Sequence, residues 1–293
     1  MVSLFESNIK SGDPTYVKLR NRDQLAKQRT LINELYHQFE PYADKNFSSH
    51  FPVKCLARFW EMFLGCSLIN AGFGLVRRGA RPGGGPDLCI RDGNSCIWIE
   101  AVVPSPGDGI DAVPPLTNGI VQEDKIVLRF SSAIRDKYLK YREYVNSGLI
   151  SNREPFLIAV NGSNIPHCHD DPEVVPYAMQ AVTPLGLPQV IFEPNTNRVI
   201  EEGFENRPRI TKHSGSAVST NIFLDDSFNL ISGLLFSNAH PFYISSANLN
   251  TVSLLHNYSP INRLPDGWFG SRREWLIVKD ESVHLKRKVV APV

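Results

Sequence analysis

The chain has 293 residues, 42% hydrophobic and 21% charged, which suits a globular protein of about two domains and excludes wholesale disorder. Lys plus Arg (31) and Asp plus Glu (30) nearly cancel, leaving +1 with His neutral, so a histone-like chain and an acidic tail are excluded although a local basic groove is not. The five cysteines form no Cys-x-x-Cys pair, and no apolar run nears the ~20 residues of a membrane span, so the expectation is a cytoplasmic protein with neither a zinc ribbon nor a membrane anchor.

Residues 22–39 carry Leu25, Leu31, Ile32, Leu35 and Phe39 at helical spacing, and Pro41 ends the run. Pro52 opens and Gly72 closes a second, more apolar helix over 53–71. Residues 73–77 read as a strand and 81–85 as a glycine-rich loop. Two strands, 87–91 and 96–103, flank Asp92-Gly93-Asn94-Ser95, a hairpin signal. A loop rich in Pro and Gly covers 104–119. A long helix over 123–146, closed by Gly148, and a strand over 156–160 follow. Beyond lie a helix over 173–182, a hairpin of 189–192 with 199–202, and strands at 230–236 and 252–255. The expected division is an N-terminal helical extension (1–50), an α/β core (51–166) and a C-terminal α+β extension (167–293).

The hairpin carries the first chemical clue. With Gly93-Asn94 as the loop, Asp92 pairs with Ser95, and the same register puts Asp87 opposite Glu100. With Asp92-Gly93 as the loop, Glu100 is the diagonal neighbour of Asp87 instead. Either way two carboxylates share one face of an otherwise apolar hairpin. Like charges so placed repel, and a hard divalent metal such as Mg²⁺ or Mn²⁺ would compensate them. Two solvated acids on an exposed edge would look the same in the sequence. The long helix carries the second clue. Ile126, Phe130, Ala133, Ile134, Tyr141 and Val145 form its apolar stripe, and Lys137 falls inside that stripe. A lysine there snorkels out, pairs with an acid or serves a site.

The order helix, three strands, helix, strand, with Pro86-Asp87 on the second strand and Glu100 on the third, resembles the PD-(D/E)xK nuclease superfamily. The resemblance implies a restriction-endonuclease-like core, a central mixed sheet flanked by helices. It implies Asp87 and Glu100 as ligands of a catalytic Mg or Mn, with Glu61 of the preceding helix joining them. The lysine slot two residues after Glu100 holds Val102. Some branches move that cation to the following helix, which makes Lys137 the migrated catalytic lysine and Arg129, about two turns earlier, the second candidate. The implied activity is metal-dependent phosphodiester hydrolysis of nucleic acid, DNA ahead of RNA. A homodimer would suit double-strand cutting. The alternative is an inactive nuclease-like fold that binds nucleic acid or a protein.

Two other signals read more plainly. His167-Cys168-His169-Asp170-Asp171 gathers metal-ligand types but reads as a polar loop. Arg272 and Arg273, beside Trp268, Phe269 and Trp275, read as part of an aromatic cluster, with nucleic-acid contact as the other option.

Overall fold

Asp13 caps the first helix: its side chain accepts from the Thr15 N–H at 2.7 Å, and Pro14 takes the first helical position. The computed structural model describes residues 3–6, 12–81, 83–93, 95–115, 120–196, 198–270 and 273–288, without the side chains of Asp170 and Glu201. Helix α1 (Pro14–Asn21) leads to α2 (Ala26–Phe39), the short α3 (Phe47–His50) and α4 (Cys55–Asn70). Gly65 of α4 leaves room for the Phe39 ring, which a side chain there would strike. Trp60, wholly buried, donates its Nε1–H to the Ala159 carbonyl at 2.9 Å and so pins α4 to the sheet. Truncating such a side chain typically costs about 3–5 kcal/mol.

The strands are β1 (Leu88–Asp92), β2 (Ser95–Val102), β3 (Phe156–Asn161), β4 (Leu185–Phe192), β5 (Val199–Asn206), β6 (Arg209–Thr211), β7 (Ala217–Ser219), β8 (Gly233–Ser237), β9 (Ser253–His256), β10 (Arg273–Lys279) and β11 (Val283–Arg287). Helix α5 (Glu123–Asn146) joins β2 to β3, and α6 (Tyr177–Gln180) precedes β4. Seven strands form one mixed sheet in the order β1-β2-β3-β8-β9-β10-β11, while β4-β5 and β6-β7 are separate hairpins. Thus the protein is α/β, with a central mixed sheet flanked by helices. Strands from beyond residue 166 supply four of its seven members.

Each face has its own core. Leu88, Ile97, Ile99, Leu157 and Leu235 pack under α1, α2 and α4. Cys89, Trp98, Ile158, Val160 and Leu234 pack under α5 and α6. On this second face the pairing fixes two transverse rows. One runs Glu100, Ile158, Leu234, Leu255, Trp275, Arg287. The next, toward the carboxyl end of β2, runs Val102, Val160, Phe236, Ser253, Arg273.

Several expectations need correction. The strand over 73–77 shrinks to a single bridge, Leu75 with Ile90. Gly72 (φ +89°) and Gly74 precede it, and glycine pays the largest entropy for extended order. The helix over 173–182 shrinks to α6, because Pro176 precedes the first residue that can turn. Strands β10 and β11 were not expected from the sequence. Among the described residues no helix is long and apolar enough to cross a membrane.

Candidate metal centre

Gly93 turns the hairpin at φ +57°, and the observed pairs, Asp92 with Ser95 through Leu88 with Ile99, select the first of the two registers. Asn94 of the predicted loop lies outside the described residues. One step beyond Leu88 the register puts Asp87 opposite Glu100, and Asp87 Oδ2 accepts from the Ala101 N–H at 2.8 Å. The Asp87 backbone is held as well. Arg81, itself buried, donates to the Asp87 carbonyl at 2.7 Å, to that of Pro86 at 3.2 Å and to that of Tyr42 at 2.9 Å. A planar guanidinium bridging three carbonyls fixes the position of the loop that delivers Asp87.

Glu100 is buried, with its side chain 1% exposed. Its Oε1 accepts from Lys137 Nζ at 2.8 Å and from Lys140 Nζ at 2.6 Å. Its Oε2 is buried and has no partner among the described residues. Burial first, then the Glu100 charge, push the Asp87 carboxyl up to about 6, against the pull of Lys137, the Ala101 N–H and Lys140. Burial works against the Lys140 charge, but Glu100 outweighs it and holds that ammonium above its usual range. The Lys140 ammonium also sits 5.3 Å from the centre of the Tyr144 ring.

Glu61 lies on α4, which covers the opposite face of the sheet. Its Oε2 accepts from Arg58 at 2.7 Å, and the same guanidinium nitrogen reaches Asp44 at 2.7 Å. Burial, reinforced by the Asp87 charge and opposed by Arg58, pushes the Glu61 carboxyl up to about 8. Glu61 therefore feels Asp87, yet its own ion pair is with Arg58. Among the described residues no three His, Cys, Asp or Glu side chains gather as a metal-binding group.

The structure thus brings Asp87, Glu100 and Lys137 together, with Glu61 behind Asp87. Arg129 lies apart, packed so closely on Gly107 (φ +83°) that a side chain at 107 would strike its guanidinium. Arg129 forms no hydrogen bond or ion pair among the described residues, and its Nε is buried. Tyr141 is spent on structure, stacked on Phe156 at 3.8 Å. Three participants had weak sequence signals. Lys140 lies outside the apolar stripe that singles out Lys137, although i and i+3 on a helix share a side. Tyr144 follows it by four residues. Arg81 sits in a loop, where no periodicity marks it. Among the described side chains of 167–171 no metal-binding group gathers: Cys168 is buried, and Asp171 accepts from the Tyr177 N–H at 2.7 Å. Compared with protein-family models, with curated proteins and with solved structures, the chain matches none.

Proposed function

We propose that this protein is a metal-dependent nuclease hydrolysing phosphodiesters of nucleic acid, DNA ahead of RNA, at Asp87 and Glu100. One observation carries the reading: Glu100 Oε2, buried and without a partner among the described residues, lies beside a second carboxylate whose proton affinity is raised. A buried acceptor without a donor is costly, and two crowded acids favour a shared cation. The open oxygens of Glu100 and Asp87 are the hard donors that Mg²⁺ or Mn²⁺ takes. When bound, such a metal supplies an acidified water and positive charge against the phosphoryl oxygens.

The chain's own residues do the rest. Lys137 and Lys140 orient the Glu100 carboxylate by holding Oε1, which leaves Oε2 without a partner among the described residues. An ammonium has further donors beyond the one used here, so Lys137 can also hold the attacking water or a phosphoryl oxygen. This is the task of the motif lysine, whose place Val102 occupies. Ala101 N–H and Arg81 fix Asp87 from two sides. Incubation of a plasmid or oligonucleotide with Mg²⁺ or Mn²⁺ tests the reading. Asp87→Ala should lower cleavage by ~10²-fold or more, the scale of losing one main stabilising group. Equal cleavage by Asp87→Ala would overturn it.

A second reading has its own support, since Glu61 is paired with Arg58 and no third ligand gathers among the described residues. It is a nuclease-like fold that binds nucleic acid without cutting. Binding that persists with no cleavage under any divalent metal would favour it.

A further inference from the structure

The carboxyl end of β2 is not the only place where chemistry reaches that edge of the sheet. Strand β9 runs antiparallel to β8, β10 parallel to β9, and β11 antiparallel to β10. The start of β10 and the end of β11 therefore lie at the same end as Glu100, on the same face. Here a cleft of about 620 Å³ opens. Arg273, Trp275 and Arg287 form one wall; Trp275 and Arg287 are a directly paired couple, and Arg273 stands one row on. Asn238, Asp171 and Glu173 also line the cleft.

Both arginines are exposed, and neither side chain forms a hydrogen bond or ion pair among the described residues. Asp171, by contrast, is already satisfied: it accepts from Tyr177 N–H at 2.7 Å and from Asn238 Nδ2 at 3.3 Å. The cleft therefore presents two free guanidinium forks, a partly buried indole and amide and carboxylate acceptors. Guanidinium forks match phosphate oxygens, an indole stacks on a base, and amide or carboxylate groups pair with a base edge. The volume is that of a ligand pocket, which spans about 300–1,000 Å³.

Its place relative to Glu100 decides the class of ligand. Glu100 and Trp275 share one transverse row, four strand steps apart. At about 4.8 Å per step that is ~19 Å, the scale of several nucleotides. We propose that the Arg273–Trp275–Arg287 cleft anchors one nucleotide of a nucleic-acid strand, its phosphate on the arginines and its base on Trp275, while a phosphodiester farther along the strand lies at Asp87 and Glu100. This rests on the nuclease reading and gives the C-terminal third of the chain a role in holding substrate.

The test is fluorescence anisotropy with a labelled oligothymidylate of about twelve nucleotides, longer than the ~19 Å span, without divalent metal so that nothing is cut. Because both arginines are exposed, Arg273→Ala/Arg287→Ala should fold normally, and Arg273→Lys/Arg287→Lys keeps the charge while losing the forks. The alanine pair should weaken binding by about tenfold or more and lower the salt slope by about 1.4, at ~0.7 per lost single-strand phosphate contact. The lysine pair should fall between wild type and the alanine pair. Equal affinity and slope in wild type and the alanine pair would overturn the anchor and leave Asp87-dependent cleavage, measured separately, untouched. Thymidine monophosphate or inorganic phosphate displacing the strand at equal concentration would also overturn it, by showing a site for free nucleotide or phosphate.

Discussion

Two buried glutamates have nearly the same immediate surroundings and different meanings. Glu100 gives Oε1 to Lys137 and Lys140, and Glu274 gives Oε1 to His256 at 2.6 Å and Lys288 at 3.1 Å. Each side chain is 1% exposed, and each leaves a buried Oε2 with no partner among the described residues. The difference is the neighbour. Glu274 on β10 meets only cations; burial raises its carboxyl, but the His256 and Lys288 bonds outweigh burial and bring it below its usual value. Glu100 has Asp87 beside it, with Glu61 behind, and both of those are raised. An unpartnered oxygen is thus not by itself a metal site. Neighbouring acids whose carboxyls are raised are the feature that separates the two.

The largest expected effect breaks the pair apart by activity. Glu100→Gln should lower metal-dependent cleavage by ~10²-fold or more, because it removes a proposed ligand. Glu274→Gln should leave the rate within about twofold and instead lower stability by about 1–3 kcal/mol. It strands two cations that are partly exposed and so partly screened. Gel-based cleavage and thermal unfolding of both variants measure this. Similar rate losses in the two would erase the distinction.

Metal binding comes next in size. A ligand that binds only the folded state at a hundredfold excess over its Kd adds about 2.7 kcal/mol, or about 5–10 °C at 2–4 °C per kcal/mol. Calorimetry with Mg²⁺ or Mn²⁺ should show that rise for wild type and Glu274→Gln. Glu100→Gln should show none. A rise that survives Glu100→Gln would place the metal elsewhere.

The contrast also shows what the sequence could and could not disclose. The hairpin register was legible because its side chains alternate and its turn carries Gly93. Helix α5 was legible to its ends, Glu123–Asn146, because its apolar stripe repeats and Gly148 stops it. Lys137 was legible as the wrong residue in that stripe. Strand β10 was not, because Glu274 occupies an inward position and breaks the apolar alternation that marks a strand. Strand β11, Val283–Arg287, is an edge strand with too little apolar content to stand out. The Glu274 cluster and the arginine cleft were hidden with them. Arg58 stands three residues before Glu61 on one helix and so was within reach of a sequence reading, whereas Asp44 was not, since its link comes from tertiary packing alone.

A smaller effect sharpens the comparison through pH. Asp87, raised to about 6, binds its proton more tightly folded than unfolded. It therefore contributes stability below about pH 4 that is lost as pH rises through about 6. Glu61 extends the loss toward about pH 8. Metal-free wild type should thus lose stability across this window relative to Asp87→Asn, by on the order of 1–2 kcal/mol for Asp87 alone after allowance for its partial exposure. Unfolding midpoints of the two proteins between pH 4 and 8 measure the divergence. Parallel curves would mean that Asp87 is not under the strain ascribed to it. Glu274 is shifted the other way, so wild type should exceed Glu274→Gln at neutral pH and the two should converge at acidic pH, as the native carboxylate is protonated.

The smallest expected effect separates the two lysines. Lys137 is 21% exposed and Lys140 45%, so solvent screens Lys140 more. Losing Lys140 leaves Glu100 Oε1 still held at 2.8 Å by Lys137 and should cost less than about 1 kcal/mol of stability. It also removes a positive charge that repels an incoming divalent cation. Lys140→Met should therefore tighten Mg²⁺ binding by a few fold in calorimetric titration. Lys137→Met should tighten it too but lower the cleavage rate by ~10-fold or more, because the proposed water-holding ammonium goes with it. Around Glu274 neither cation has this second task, so Lys288→Met should change stability alone. If Lys137→Met and Lys140→Met lose rate equally, the two ammonium groups act as one charge and neither is the migrated lysine.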